Sequence, residues 1–181
     1  MKRVLFVIGA PGVGKTTALS TLLDPFGTTM LQKPKWTLSP PVALVGHYGR
    51  DPHAHYGGDT LAYNGAHPAL DYWEKYLLTD DKFSSFILDG DRFSTKNVFE
   101  RVNALPNLDV RAVYLTASEK ALSERRNARG STQNEVWMKG RGTKSKRFAQ
   151  LFGDTCVTIE TTDMSKSEVA IALHDALSKA P

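Results

Sequence analysis

The sequence contains one cysteine, Cys156, and no apolar run that approaches the roughly 20 residues needed to span a bilayer. A single cysteine excludes an internal disulfide framework and a cysteine-based zinc cluster, and it suits a reducing compartment. The N-terminus is basic and then apolar, as in a signal peptide, but it leads into a glycine-rich turn rather than a cleavage site. We therefore predict a cytoplasmic protein with no membrane partner and no disulfide partner.

Compositional extremes are also missing. Of the 181 residues, 41% are hydrophobic and 23% are charged, which is ordinary for a globular protein and excludes extended disorder or a coiled-coil rod. This length predicts one domain that covers residues 1–181.

Acidic residues are scarce between residues 125 and 147. This segment carries eight lysines and arginines and one glutamate, a charge of +7, whereas the whole chain has a net charge of +4. A basic segment on a mildly acidic body predicts a localised site for a polyanion. The phosphates of a nucleotide, a nucleic-acid backbone or both fit that description.

Strand and helix patterns alternate along the chain, which predicts a three-layer α/β/α fold with a mostly parallel sheet. Five apolar runs are expected to form its strands, at residues 4–8, 42–45, 86–88, 110–115 and 156–159. Helices are expected at residues 16–23, 67–78, 95–104, 118–128 and 165–179. Two stretches interrupt the alternation: a glycine- and aromatic-rich loop at 46–66 and a polar, lid-like basic segment at 125–147.

The strongest motif follows the first apolar run and matches G-x-x-x-x-G-K-[ST]. It consists of Gly9, Ala10, Pro11, Gly12, Val13, Gly14, Lys15 and Thr16, with Thr17 directly after it. The glycines allow successive backbone amides to face one phosphate, Lys15 reaches the β- and γ-phosphates, and the Thr16 hydroxyl ligates magnesium. A strand precedes the motif and a helix follows it, so we predict a P-loop NTPase fold that binds ATP and Mg²⁺.

The second part expected of such a site is an acidic residue at the end of a neighbouring strand. The run 86–88 leads into Asp89, with Asp91 two residues later, and Asp89 is predicted to hold magnesium together with Thr16. A solvated turn that caps the strand is the alternative. Arg92 is predicted to be either a phosphate ligand or an ion-pair partner of Asp91.

A hydroxyl that accepts a phosphoryl group is helped by a nearby carboxylate. The transfer of the phosphoryl group also requires positive charge around it. Arg125, Arg129 and Arg141 of the basic segment are predicted to neutralise developing charge, although a solvated basic face is the simpler alternative. In the 46–66 loop, Asp59 is the preferred carboxylate to orient or deprotonate the acceptor hydroxyl, and Asp51 is the alternative. Both aspartates could instead cap turns.

These features together resemble the P-loop nucleotide and nucleoside kinases over the whole chain. The resemblance rests on the phosphate loop, on LDGDR at 88–92 and on the arginines at 125–129. A narrower resemblance is carried by YGGDTL at 56–61, RGSTQ at 129–133 and WMKGRGTK at 137–144. These segments are similar to the phage-type 5-hydroxymethyluracil DNA kinases, which phosphorylate the modified base within DNA on the route to hypermodified thymine. The resemblance implies ATP as donor and Asp59 near the acceptor hydroxyl.

A DNA substrate gives the remaining polar and aromatic residues a predicted role. Tyr48, Tyr56 and Trp137 are candidates to stack on an extruded or single-stranded base, and Lys139 and Lys144 are candidates to contact the DNA. Two alternatives stay open. A small-molecule kinase would act on a deoxynucleoside monophosphate or nucleoside, and a DNA-stimulated ATPase or switch would use water as its acceptor.

Overall fold

One twisted sheet with helices on both faces organises the protein. The computed structural model describes residues 1–24, 26–49, 57–128, 130 and 134–178. Within these residues the sheet has seven strands in the order β2-β3-β4-β5-β1-β6-β7. The strands are β1 (Lys2–Gly9), β2 (Thr29–Gln32), β3 (Lys35–Ser39), β4 (Val42–Val45), β5 (Ser85–Asp89), β6 (Leu108–Thr116) and β7 (Cys156–Glu160).

The five predicted strands form the parallel part of this sheet. β1 lies between β5 and β6 and pairs with both in parallel, and β4 and β7 extend the parallel set on either side. A central parallel strand is buried on both faces and reads as a continuous apolar run, which is why β1 could be predicted. The α/β/α arrangement with a mostly parallel sheet is confirmed.

The predicted strand number of five was too low. β2 and β3 form an antiparallel hairpin that joins the sheet through antiparallel pairing of β3 with β4. The prolines at 34, 40 and 41 lie in the turns between these strands rather than inside them, and Trp36 is the largest fully buried side chain of β3. Mixed polar strands broken by proline-containing turns do not give the apolar runs used to identify the others.

Six α-helices cover the faces of the sheet in the described residues. They are α1 (Lys15–Ser20), α2 (Ala66–Tyr72), α3 (Lys96–Asn103), α4 (Glu119–Asn127), α5 (Glu135–Ala149) and α6 (Lys166–Ser178), with a π-helical turn at Trp73–Leu77 after α2. The hydroxyls of Thr95 and Ser118 cap α3 and α4. None of the helices among these residues is long and apolar enough to cross a membrane.

The side chains on the two faces of β1 belong to two different apolar cores. Val4, Phe6 and Ile8 belong to the core under α2 and α3, whereas Leu5 and Val7 belong to the core under α1, α4 and α6. The alternation follows from the period of two in a strand. Trp36 and Trp73 are fully buried in the first core.

The helix α5 was not predicted, and it lies in the segment described from the sequence as a polar, lid-like insert. The pattern was hidden because Gly140 and Gly142 weaken the helix signal and only a few side chains of α5 are buried. The buried ones include Phe148 near its end, whose ring centroid lies 5.7 Å from that of Phe6. The segment that follows α4 therefore leads into a helix anchored in the core.

An ion-pair cluster lies at the start of β1, and the first mutational prediction concerns it. Arg3 and Arg111 donate to the Asp109 carboxylate at 2.8 and 2.7 Å, and Arg3 also donates to the Leu177 carbonyl of α6. Partial burial alone would raise the pKa of Asp109, but the hydrogen bonds from both arginines outweigh it and hold that pKa below its usual value.

Asp109→Asn is expected to lower the free energy of unfolding by about 1 kcal/mol at neutral pH. Because the folded-state pKa is depressed, this stabilisation is present above the ordinary aspartate pKa of 3.8 and disappears as the pH falls through the folded value. Urea unfolding of both proteins from pH 7 downward measures the difference. A difference that stayed constant into the acid range would contradict the ion-pair account.

Candidate functional site

The glycine-rich loop joins β1 to α1 at the carboxyl edge of the sheet. Gly12 and Gly14 have φ angles of 96° and 104°, a region that favours glycine. A Cβ on Gly9 would lie 2.7 Å from the Leu115 carbonyl oxygen of β6. The loop is thus held tightly against the neighbouring strand, and its strand–loop–helix setting is the one predicted.

The Lys15 ammonium lies against the beginning of this loop. Its Nζ donates to the Gly9 carbonyl at 2.7 Å and to the Ala10 carbonyl at 3.3 Å. Thr16 and Thr17 follow it in the first turn of α1. Lys15 is therefore placed within reach of any phosphate that the loop amides bind.

Asp89 ends β5, the strand that pairs directly with β1. Its register partner is Val7, two residues before the loop. The residue is only 3% exposed, and its Oδ2 accepts a hydrogen bond of 2.7 Å from the Tyr48 hydroxyl. Its Oδ1 is buried and has no hydrogen-bond partner among the described residues.

Burial is the main cause that raises the pKa of Asp89, and the nearby positive charge of Lys15 opposes that rise. A buried carboxylate oxygen without a partner is costly unless a ligand completes its coordination. Carboxylate and hydroxyl oxygens are ligands that Mg²⁺ prefers, so the donor set of Asp89 and Thr16 fits that ion.

Tyr48 does not have the role predicted for it. Its side chain is fully buried, and both that burial and the negative charge of Asp89 raise its pKa well above the usual tyrosine value. A ring with no exposed face cannot stack on a substrate base, so the predicted stacking was wrong. Sequence reasoning missed its contact with Asp89 because the two residues are 41 positions apart.

Asp59 lies close to the end of β5. It belongs to a short 3₁₀ segment, Gly58–Thr60, and a Cβ on Gly58 would lie only 2.3 Å from the Asp89 carbonyl oxygen. A bridge between His47 and Gly57 fixes the start of this segment. The Asp59 side chain is 80% exposed, so its carboxylate is open to a substrate.

Arg92 pairs with the segment that contains Asp59, a contact that neither of its two predictions included. Its Nη1 lies 3.6 Å from Asp59 Oδ1, and its Nε donates to the Ala62 carbonyl at 2.9 Å. Asp91 pairs instead with Arg141 of α5 and with Lys144, whose Nζ lies 3.2 Å from Asp91 Oδ2. Asp91 and Arg92, which are neighbours in the sequence after β5, therefore pair with different segments.

Two of the three predicted phosphate-neutralising arginines, Arg125 and Arg141, are engaged with protein groups. Arg125 donates to the Thr161 hydroxyl at 3.1 Å and to the carbonyls of Thr161 and Thr162 in the turn after β7. Arg141 contacts Asp91, and its guanidinium lies 4.4 Å from the centre of the Trp137 ring. Trp137 itself remains 42% exposed.

A cleft of about 420 Å³ lies beside the loop, between α4, α5 and the end of β6. Ala10 of the loop lines it, together with the cationic side chains of Arg126, Lys139 and Lys146 and the carboxylate of Glu119. Lys139 was predicted to contact substrate. Arg126 and Lys146 were counted in the basic segment but were given no role, because their spacing does not distinguish them from a solvated face.

Several predicted residues lie outside the described part of the chain. These are Asp51, Tyr56 and Arg129. Among the described residues no group of three or more histidine, cysteine, aspartate or glutamate side chains is arranged to hold a metal ion.

No protein-family model matches the chain, and no curated protein matches it. Among solved structures, the deoxyadenosine kinase of M. mycoides with bound dATP aligns with a TM-score of 0.49 and 14% identity, over 99% of this chain and 100% of that chain. A provisionally named kinase from Chloroflexus aurantiacus aligns with a TM-score of 0.42 and 12% identity, over 98% and 99%. The parallel core and the loop after β1 agree with the α/β P-loop fold predicted from the sequence.

Proposed function

We propose that this protein is a phosphotransferase that binds ATP with Mg²⁺ and transfers the γ-phosphoryl group to a hydroxyl. The observation that carries the proposal is the buried Asp89 carboxylate, with one unpartnered oxygen, on the strand that pairs with the one leading into the phosphate loop. A strand-end carboxylate beside such a loop is the arrangement that nucleoside triphosphate binding requires.

The residues divide the work on the donor side. The backbone N–H groups of the loop from Gly9 to Thr16, except at Pro11, and the Lys15 ammonium bind the phosphates, while Thr16 and Asp89 would hold magnesium. Magnesium, when bound with the nucleotide, supplies positive charge at the β- and γ-phosphates. The cations of the neighbouring cleft lie beside the phosphate loop and add to the positive potential there.

Asp59 is the proposed acceptor carboxylate. It is exposed, it lies on a segment packed against the end of β5, and Arg92 beside it limits its orientation. In this position it accepts the proton or the hydrogen bond of the attacking hydroxyl. Asp51 remains the alternative.

The proposed acceptor is the 5-hydroxymethyl group of 5-hydroxymethyluracil in DNA. The support is the sequence resemblance at 56–61, 129–133 and 137–144, together with the exposed cations Lys139, Lys146 and Arg147 on α5. These cations suit the DNA backbone, and the exposed part of Trp137 suits an extruded base. The base must leave the duplex, or the strand must be single, to reach the loop.

A free nucleoside or deoxynucleotide is the second candidate acceptor. It is favoured by the pairing of Arg141 and Lys144 with Asp91 and of Arg125 with the turn after β7, because these pairs leave fewer cations for a DNA backbone. A small acceptor needs no cations for a nucleic-acid backbone.

Phosphoryl transfer from γ-³²P-ATP to three acceptors offered separately distinguishes the candidates. The acceptors are DNA with 5-hydroxymethyluracil, the same DNA with thymine, and a mixture of free deoxynucleosides and their monophosphates. We expect label only in the hydroxymethylated DNA, and Asp59→Asn is expected to reduce it by about 10²–10⁴-fold.

The matched control is Asp81→Asn, an exposed carboxylate in the turn before β5, which should retain full activity. Label in the free nucleosides or monophosphates alone would exclude the DNA acceptor and support the second candidate. Full activity of Asp59→Asn would remove Asp59 from the acceptor site.

A further inference from the structure

We infer that Tyr48 is a positioning residue: its hydroxyl fixes one oxygen of the Asp89 carboxylate and so leaves the other oxygen for the nucleotide-bound magnesium. The inference rests on the proposed function. It assigns Tyr48 to the metal side of the site, although the residue belongs to the loop that leads to the acceptor segment.

The geometry of the pair is selective for one oxygen. The Tyr48 hydroxyl donates to Oδ2 at 2.7 Å, and Oδ1 receives no hydrogen bond from the described residues. Two equivalent oxygens would allow the carboxylate to rotate between states, whereas one fixed oxygen specifies a single orientation. A preorganised ligand of this kind avoids the cost of ordering when the metal arrives.

Packing alone does not account for a tyrosine at this position. The ring is fully buried, and a phenylalanine would fill the same volume without bringing a hydroxyl out of water. A buried hydroxyl requires a partner, and the partner here is the one carboxylate that ends the strand next to the phosphate loop.

The Tyr48 ring is itself held in place from several sides. Its backbone amide donates to the Thr37 hydroxyl at 2.9 Å, and that hydroxyl donates to the Gly46 carbonyl at 2.8 Å. A Cβ on Gly57 would lie 2.8 Å from Cε1 of the ring, so the absence of a side chain at Gly57 leaves room for the phenol. The hydroxyl therefore has little freedom to leave Asp89.

The same contacts connect the metal ligand to the acceptor segment. The Gly57 amide donates to the His47 carbonyl at 2.8 Å, immediately before Tyr48, and Gly58 packs against the Asp89 backbone. Tyr48 thus contacts the Asp89 side chain at the end of β5 and the backbone at Gly57, which leads to Asp59. Removal of the Tyr48 hydroxyl should therefore weaken magnesium binding directly and affect the acceptor only indirectly.

The test compares Tyr48→Phe with the wild-type protein in the binding of a non-hydrolysable ATP analogue, measured by calorimetry with Mg²⁺ and with EDTA. Affinity in EDTA depends on the loop amides and Lys15 and should change by less than about twofold. The gain in affinity on adding Mg²⁺ should fall by about tenfold, because the carboxylate loses its fixed orientation. Tyr76→Phe, which alters a half-exposed tyrosine of the π-helical turn after α2, is the matched control.

The outcomes separate the inference from the proposed function. If the wild-type protein shows no gain with Mg²⁺, both are overturned. The positioning role is wrong, and the proposed function stands, if Mg²⁺ increases the affinity of the wild-type protein and of Tyr48→Phe by the same factor. The same holds if Tyr48→Phe loses affinity equally with and without Mg²⁺. In an Asp89→Asn background, Tyr48→Phe should cause no further loss of the gain, and an additive loss would also overturn the role.

Discussion

Lys15→Ala is expected to lower kcat/KM for phosphoryl transfer by about 10²–10³-fold without unfolding the protein. The ammonium is the one side-chain charge of the loop itself, and it donates hydrogen bonds to the Gly9 and Ala10 carbonyls of that loop. An alanine leaves the backbone amides in place, so nucleotide binding should weaken less than the transfer rate falls. Steady-state transfer assays and thermal melting of the same preparations measure both effects.

Lys33→Ala provides the matched control for this charge. Lys33 is an exposed lysine in the turn between β2 and β3, and its removal changes the net charge by the same amount. It should retain full activity. Near-normal transfer by Lys15→Ala would show that the loop does not hold the reacting phosphates.

Asp89→Asn is expected to lower Mg²⁺-dependent transfer by about 10²-fold or more while leaving the free energy of unfolding unchanged or higher. An amide is a poor magnesium ligand in place of a carboxylate, so activity falls. Stability should not fall, because burial raises the pKa of Asp89 and thus disfavours its charged form in the folded protein, whereas asparagine has no charge to bury. The asparagine carbonyl still accepts from Tyr48.

The opposite signs of these two effects make the measurement specific. A residue that serves only the fold would lose activity and stability together when it is replaced. Asp175→Asn on α6, an exposed carboxylate, should change neither quantity. A large loss of stability in Asp89→Asn would identify a structural ion-pair partner rather than a metal ligand.

The parallel core and the phosphate loop could be predicted because their signals are local. A strand buried on both faces must be apolar throughout, and a loop that wraps a phosphate needs glycine at fixed positions. The β2–β3 hairpin and α5 were missed for a physical reason as well. Their burial is partial, and the contacts of Trp36 and Phe148 with distant elements stabilise them more than local propensity does.

The candidate site likewise contains residues with a local sequence signal and residues whose contacts depend on distant segments. Asp89 could be predicted from its position after an apolar run, but its partner Tyr48 could not, since an aromatic residue in a glycine-rich loop gives no sign of burial. The pairing of Arg92 with Asp59, and of Arg141 with Asp91, depends on where two separate segments meet at the carboxyl edge of the sheet. Charge counts along the sequence contain no such information.

The fate of the γ-phosphoryl group tests the central claim most directly. A single-turnover reaction of the enzyme with γ-³²P-ATP, Mg²⁺ and hydroxymethylated DNA, quenched over time, separates label in the acceptor from label in inorganic phosphate. The account predicts that most of the label enters the acceptor and that little is released as phosphate. Label that appears only as inorganic phosphate, at a rate stimulated by DNA and with none in any acceptor, would contradict it and identify a nucleotide-dependent ATPase or switch.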